Sequence, residues 1–149
     1  MKVVVQRVAE AAVAVDGRTV SSIGRGLLVL AAFRADDGEE ELRWMARKCL
    51  ELRIFEDAEG KMNRSLRDEG GELLVVSQFT LYGNCRKGRR PAYTESAPAE
   101  EAERLYERFL EILRSGYNRV AAGIFGAKMR VELVNDGPVT LVIEKGTGD

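Results

Sequence analysis

Histidine is absent from this chain of 149 residues. A Ser-His-Asp or Cys-His nucleophile relay therefore cannot be assembled on it. Cysteine is scarce: Cys49 and Cys85 are too few for a disulfide framework. Without histidine, a zinc site would have to take its remaining ligands from carboxylates, so neither metal nor cofactor is expected. Long apolar runs are missing too, none approaching the roughly 20 residues that span a bilayer. Gln6, Arg7 and Glu10 break up the apolar start, which does not read as a signal-peptide core. The net charge of -1 is small, so nucleic-acid binding would need a local patch. We find no internal repeat, linker or low-complexity segment. The expectation is a cytoplasmic globular protein with no membrane partner, residues 1–149 forming a single domain.

What is present is valine-rich alternation and two helical stripes. Lys2 to Val8 and Glu10 to Val15 read as strands, with Asp16-Gly17 as a hairpin turn and Thr19 to Ile23 returning. Gly24-Arg25-Gly26 leads into LLVLAAF, a continuous run suited to a central strand; a phosphate loop there is disfavoured because no helix follows. Asp36 or Asp37 is the expected cap of a first helix carrying Leu42, Met45, Ala46 and Cys49. Short strands are expected at Arg53 to Phe55 and, in extended form, at Lys61 to Leu66, with loops at Asp57 to Gly60 and Asp68 to Gly71. A second helix starts near Ser96, with Pro98 in its first turn, buries Ala102, Leu105, Tyr106, Phe109, Ile112 and Leu113, and stops at Gly116. Strands Met129 to Val134 and Val139 to Glu144 close the chain. The fold class is α+β: a compact mixed, barrel-like sheet with two main helices.

Four stretches can carry chemistry. LLVVSQFTLY ends an apolar strand in polar groups; continued alternation would put Gln78 and Thr80 on one face, Ser77 and Phe79 on the other. The bland alternative is that Ser77 and Thr80 cap the strand end. Thr80 has no base beside it in sequence, so chemistry there would rest on oriented backbone N–H groups or on a group the substrate brings. Arg86, Lys87, Arg89 and Arg90, flanked by Tyr82 and Tyr93, suit phosphates and bases, or form a solvated loop. Gly123 to Ala127 permits close backbone approach by a ligand, or is an ordinary connection. Asn135-Asp136-Gly137-Pro138 reads locally as a hairpin turn, although proline after glycine and before a strand marks a candidate cis bond. Thr140 follows in an otherwise apolar strand.

SQFTL, GIFGAKM and VNDGPVT, spaced as here, resemble the D-aminoacyl-tRNA deacylases, as do QRV, GLLVL, RIFEDAEGKMN and the basic loop ending in RRP. The resemblance covers residues 1 to about 144. It implies a homodimeric esterase that frees D-amino acids, and glycine, from tRNA and rejects L-aminoacyl-tRNA. Gly137 and Pro138 would form a cis motif reaching into the partner subunit's pocket, with Arg7 fixing it and Thr140 supporting it. Ser77, Gln78, Phe79 and Thr80 would line the pocket. Thr80 is either a nucleophile or a positioning group for chemistry at the Phe79 N–H and the RNA 2'-hydroxyl; without a base, the second is favoured. Gly126 and Ala127 would meet the terminal adenosine, and Arg86, Lys87, Arg89 and Arg90 the tRNA. The rival reading is an RNA- or DNA-binding module of this fold without hydrolysis.

Overall fold

The alternation at the start of the chain runs on without the expected break. In the computed structural model, which describes residues 1–149, it forms one 14-residue strand, β1 (Lys2–Val15). β2 (Arg18–Ile23) returns antiparallel along its second half, and β3 (Gly26–Ala32) pairs antiparallel with its first half. β3 then pairs in parallel with β6 (Glu72–Ser77), and β6 with β7 (Val120–Ala122), a short strand that sequence reading missed. On its other edge β1 is matched along its length by β8 (Met129–Glu144). β4 (Phe55–Glu56) and β5 (Met62–Arg64) make a small separate ribbon.

Period-two alternation divides the apolar residues into two cores. Val3, Val5, Leu27, Val29, Leu73 and Val75 face the helices α1 (Glu39–Glu51) and α3 (Ala99–Gly116). Val13, Ile23, Leu28, Leu74 and Val76 point the other way, into a smaller core. Partly buried Met129, Val131 and Leu133 pack against that core, so the sheet curls over itself into a near-closed barrel. α3 contributes Leu105, Tyr106, Phe109 and Leu113, each at most 1% exposed. Burying each such side chain stabilises by about 1.5–3 kcal/mol. Gly26 is where β3 passes closest to β6: a Cβ there would lie 1.8 Å from the Glu72 carbonyl oxygen.

Several local expectations are corrected. Neither Asp36 nor Asp37 caps α1; Gly38 does, and Glu41 reaches back to its N–H at 2.8 Å. Asp37 is instead buried against the Met1 α-amine at 2.5 Å and the Arg34 N–H at 2.7 Å. Ser65 and Asp68 cap each other reciprocally around a one-turn helix, α2 (Leu66–Glu69), where an extended segment and a loop were expected. Four residues are too few for a helical period to register. Asn135 to Pro138 is no hairpin turn. β8 passes straight through it, and the four residues from Asp136 to Val139 bulge opposite the single Arg7 of β1.

Candidate active site

β6 ends at Ser77, so the alternation expected across SQFTL does not continue. Phe79–Tyr82 turns as a 3-10 helix, with Leu81 N–H donating to the Gln78 carbonyl at 3.2 Å and Gly83 N–H to the Thr80 carbonyl at 2.9 Å. The strand's last ladder contact is Gln78 N–H to the Ala31 carbonyl at 2.7 Å. Gln78 Nε2 then donates to the Thr80 hydroxyl, so these two side chains meet although they are not on one strand face. The first N–H of such a turn, that of Phe79, has no partner within the turn.

Beside this turn lies a groove of about 710 Å³. Ser77, Gln78 and Phe79 form one wall, Phe125, Gly126 and Ala127 another, and Tyr93, Ser96 and Pro98 close it. The Tyr106 hydroxyl holds the walls together. It lies 3.1 Å from the carbonyls of both Val75 on β6 and Gly123 on the opposite loop. Burial raises its pKa, keeping it a neutral donor. Gly126 turns that loop at φ +75°, a conformation disfavoured for L side chains. Thr80 is exposed, next to the wall residue Phe79, and does not itself line the groove in the single chain. A second concavity, of about 640 Å³, is edged by Glu10, Glu72 and Glu132 and has the wrong sign for a polyanion.

The basic loop is tied to the same place. Asn84 and Ala92 exchange backbone hydrogen bonds at its neck, 2.7 and 3.0 Å long. Tyr93 then meets Phe79 edge to face, ring centroids 5.1 Å apart. Arg86, Lys87, Arg89 and Arg90 are exposed, and none is paired with a carboxylate. Phe79 itself is 56% exposed, unusual for a phenylalanine unless something stacks on it. Ser96, read from sequence as a helix start, does not cap α3, whose N-cap is Pro98. Its hydroxyl donates to the Phe79 carbonyl at 3.0 Å. Phe125 and Met129 lie in the GIFGAKM stretch marked from sequence, and Tyr93 beside the cationic run, whereas Ser96 was read only as a helix start.

Arg7, Gly137, Pro138 and Thr140 form a second constellation. The Gly137-Pro138 peptide is cis. Buried Arg7 donates from Nε to the Asp136 carbonyl at 2.9 Å and from Nη1 to the Ile54 carbonyl at 2.8 Å, with Glu56 at 3.9 Å as its counter-charge. Across the bulge, Asn135 Nδ2 donates to the Thr140 hydroxyl at 2.8 Å, and Asn135 Oδ1 accepts from Val139 N–H at 3.1 Å. The register separates this constellation from the groove. Ser77 lies in one row with Ala31, Val3 and Ile143, while the bulge faces Arg7, four residues further along β1. Along the sheet, three strand spacings and four residue rises separate Pro138 from Ser77 in the same chain, and neither Gly137 nor Pro138 lines the groove.

Cys49 and Cys85 lie apart from both constellations. Cys49 is sealed on the core face of α1, where burial pushes its thiol up to about 12; Cys85 is exposed in the basic loop. No group of three or more metal-ligating side chains converges, and no helix is long and apolar enough to cross a membrane.

Comparison with known proteins gives one answer. The family described as D-Tyr-tRNA(Tyr) deacylase matches residues 4–144. A D-aminoacyl-tRNA deacylase of Carboxydothermus hydrogenoformans is 56% identical over 97% of this chain and 99% of its own. That of Chlorobaculum parvum is 58% identical, covering 97% of each. Among solved structures, one described as c-Myc DNA unwinding element binding protein superposes with a TM-score of 0.94 at 46% identity, covering 98% of this chain and 99% of its own. A probable eukaryotic D-amino acid tRNA deacylase, at 23% identity and a TM-score of 0.82 over 95% of this chain and 97% of its own, shares the fold.

Proposed function

Because the chain belongs to the D-aminoacyl-tRNA deacylase family, whose activity is hydrolytic editing of aminoacyl-tRNA, we propose that its groove holds the 3' end of D-aminoacyl- and glycyl-tRNA. The observation that carries this reading is the shared groove: SQF on one wall, Gly126-Ala127 on the other, and an unpaired cationic loop at the rim. An apolar slot of this kind takes a planar base and ribose, and exposed Phe79 and Tyr93 offer faces and edges to aromatic rings. The cations take the phosphates upstream.

Hydrolysis of the ester needs stabilisation of the oxyanion as water adds to the carbonyl. The Phe79 N–H, at the head of the 3-10 turn, is the donor for that charge. Thr80, held by Gln78, positions the turn, and the terminal 2'-hydroxyl of the RNA shuttles the proton that no histidine is present to carry. Handedness is read by the Gly137-Pro138 bulge of a partner subunit in a homodimer. The three strands and four residues of sheet between bulge and groove within one chain, and exposed Leu141 and Val142 beside the bulge, support that arrangement. A rigid backbone wall excludes an L side chain by shape and admits glycine. The substrate places the activity in the cytoplasm.

The test is hydrolysis of D-Tyr-tRNA, L-Tyr-tRNA and Gly-tRNA by the purified protein. Cleavage of the D-tyrosyl and glycyl esters with the L-ester spared is the expected result. L-ester cleavage at an equal rate overturns the chiral wall, and a monomer by light scattering that still discriminates overturns the cross-subunit part. Tight RNA or DNA binding without hydrolysis would favour a pure binding module, the property named for the 46% identical solved structure.

A further inference from the structure

Resting on the groove reading above, we propose that Ser96 is a positioning residue for hydrolysis, holding the Phe79 peptide at the orientation the reaction needs. On its inner side the 3-10 turn is attached to the sheet through Gln78 N–H to Ala31, and through Lys2 of β1, which donates to the Leu81 carbonyl at 3.5 Å and lies over the Tyr82 ring. On its outer side it is held by the returning end of the basic loop, at successive points. The Tyr93 ring lies edge-on to Phe79 and against Gly83, where a Cβ would come within 2.9 Å of Tyr93 Cε1. Ser96 donates its hydroxyl to the Phe79 carbonyl at 3.0 Å, and its own N–H to the Tyr93 carbonyl at 3.1 Å. Ala97 N–H then anchors the segment to Phe33, at the end of the central strand, at 2.9 Å.

Ser96 is the only side chain that bonds the Phe79 carbonyl. That carbonyl and the Phe79 N–H belong to one residue, so fixing the first limits rotation of the second about Phe79 φ and ψ. A donor displaced by a fraction of an ångström loses much of its value to a developing oxyanion, because the benefit comes from orientation set in advance. Phe79 is more than half exposed and has the Tyr93 ring on one side, so its own packing supplies little of that rigidity. The serine hydroxyl therefore does what burial does elsewhere. It does so from the same loop that carries Arg86 to Arg90, which couples the turn to the segment expected to dock RNA.

The experiment compares Ser96→Thr with Ser96→Val, a pair of nearly equal volume in which only the first keeps the hydroxyl. Glu95→Ala serves as an exposed neighbouring control. Steady-state hydrolysis of D-Tyr-tRNA is measured together with amide hydrogen exchange at Leu81 and Gly83, whose N–H groups close the turn. We expect Ser96→Val to lower kcat by about 10- to 100-fold with KM little changed, and to speed exchange at both amides. Ser96→Thr should keep kcat near the parent's. A raised KM with intact kcat would make Ser96 a substrate contact and overturn the proposal, as would equal kcat for the two variants. A parent protein inert toward D-Tyr-tRNA would overturn the underlying groove reading instead. If Ser96→Val unfolds, loss of amide protection confined to the turn in Ser96→Ala supports the clamp, and unchanged protection refutes it.

Discussion

The Thr80 hydroxyl receives a hydrogen bond from Gln78 Nε2, and the residue is exposed. A serine- or threonine-type nucleophile needs a partner to take its proton, and no histidine exists in the chain to do so. Losing the hydroxyl should therefore loosen the turn without removing the chemistry. Thr80→Ala is expected to retain hydrolysis of D-Tyr-tRNA within about 10-fold of the parent. A substrate ending in 2'-deoxyadenosine should fall by about 10² or more, the scale of general acid–base assistance. Single-turnover rates decide: a dead Thr80→Ala beside an active deoxy substrate would make Thr80 the nucleophile. Arg7 makes a different argument at this scale. A nearly buried guanidinium is tolerable only when its donors are satisfied, and here two backbone carbonyls and Glu56 do that. Its charge is used to hold main chain, which suits a bulge that must keep its shape.

Among the elements, α3 links packing to site geometry most directly. Its buried stripe seats the helix on the sheet, and one member of the stripe, Tyr106, ends in a hydroxyl shared between β6 and the Gly123 loop. Both groove walls are thus referenced to the same atom. Tyr106→Phe leaves the aromatic packing against Phe33 and Phe125 in place and removes only that donor. It should cost about 1 kcal/mol, the net worth of one hydrogen bond, because the Val75 carbonyl keeps the Gly123 N–H at 2.9 Å and only the Gly123 carbonyl depends on the hydroxyl. Urea denaturation gives the number, and a loss below about 0.5 kcal/mol would mean that the Gly123 carbonyl finds another donor. A larger fall in activity than in stability is expected, because the walls move relative to each other.

For the molecule as a whole, the two long helices are clamped by charge. Arg108 on α3 forms a bidentate pair with Glu39 on α1, 3.0 Å from Nε to Oε2. The hydrogen bond from Arg108 holds the Glu39 carboxyl down from 4.5 to about 2. A carboxyl depressed in the folded state binds fewer protons there than in the unfolded chain. Its contribution to stability is therefore complete above about 4.5 and is lost as pH falls through about 2. Glu39→Gln should lower the urea midpoint at pH 7, with the gap to the parent closing between these two values. A gap constant down to pH 2.5 would show that the pair does not act through ionisation. The pair is exposed, so raised salt should shrink the difference as well.

By itself the sequence determined what local periodicity and composition can carry. The valine alternation of β1, the stripe of α3 and the mixed α+β class follow from side-chain spacing, and missing histidine constrains the chemistry whatever the fold. Motif resemblance assigned SQFTL and GPVT to one family, and the matches to relatives agree with it. What only tertiary structure decided is how these segments sit. SQFT leaves the strand after Ser77 because β3 offers the Ala31 carbonyl to Gln78 and no ladder partner beyond it. Asp136 to Val139 becomes a bulge because β1 continues alongside on both flanks, leaving β8 nowhere to turn. α2 and β7 are too short to leave a period, and the Ser96–Phe79 contact joins residues 17 apart. Long-range pairing outweighs local preference at each of these points, so spacing along the chain alone could not reveal them.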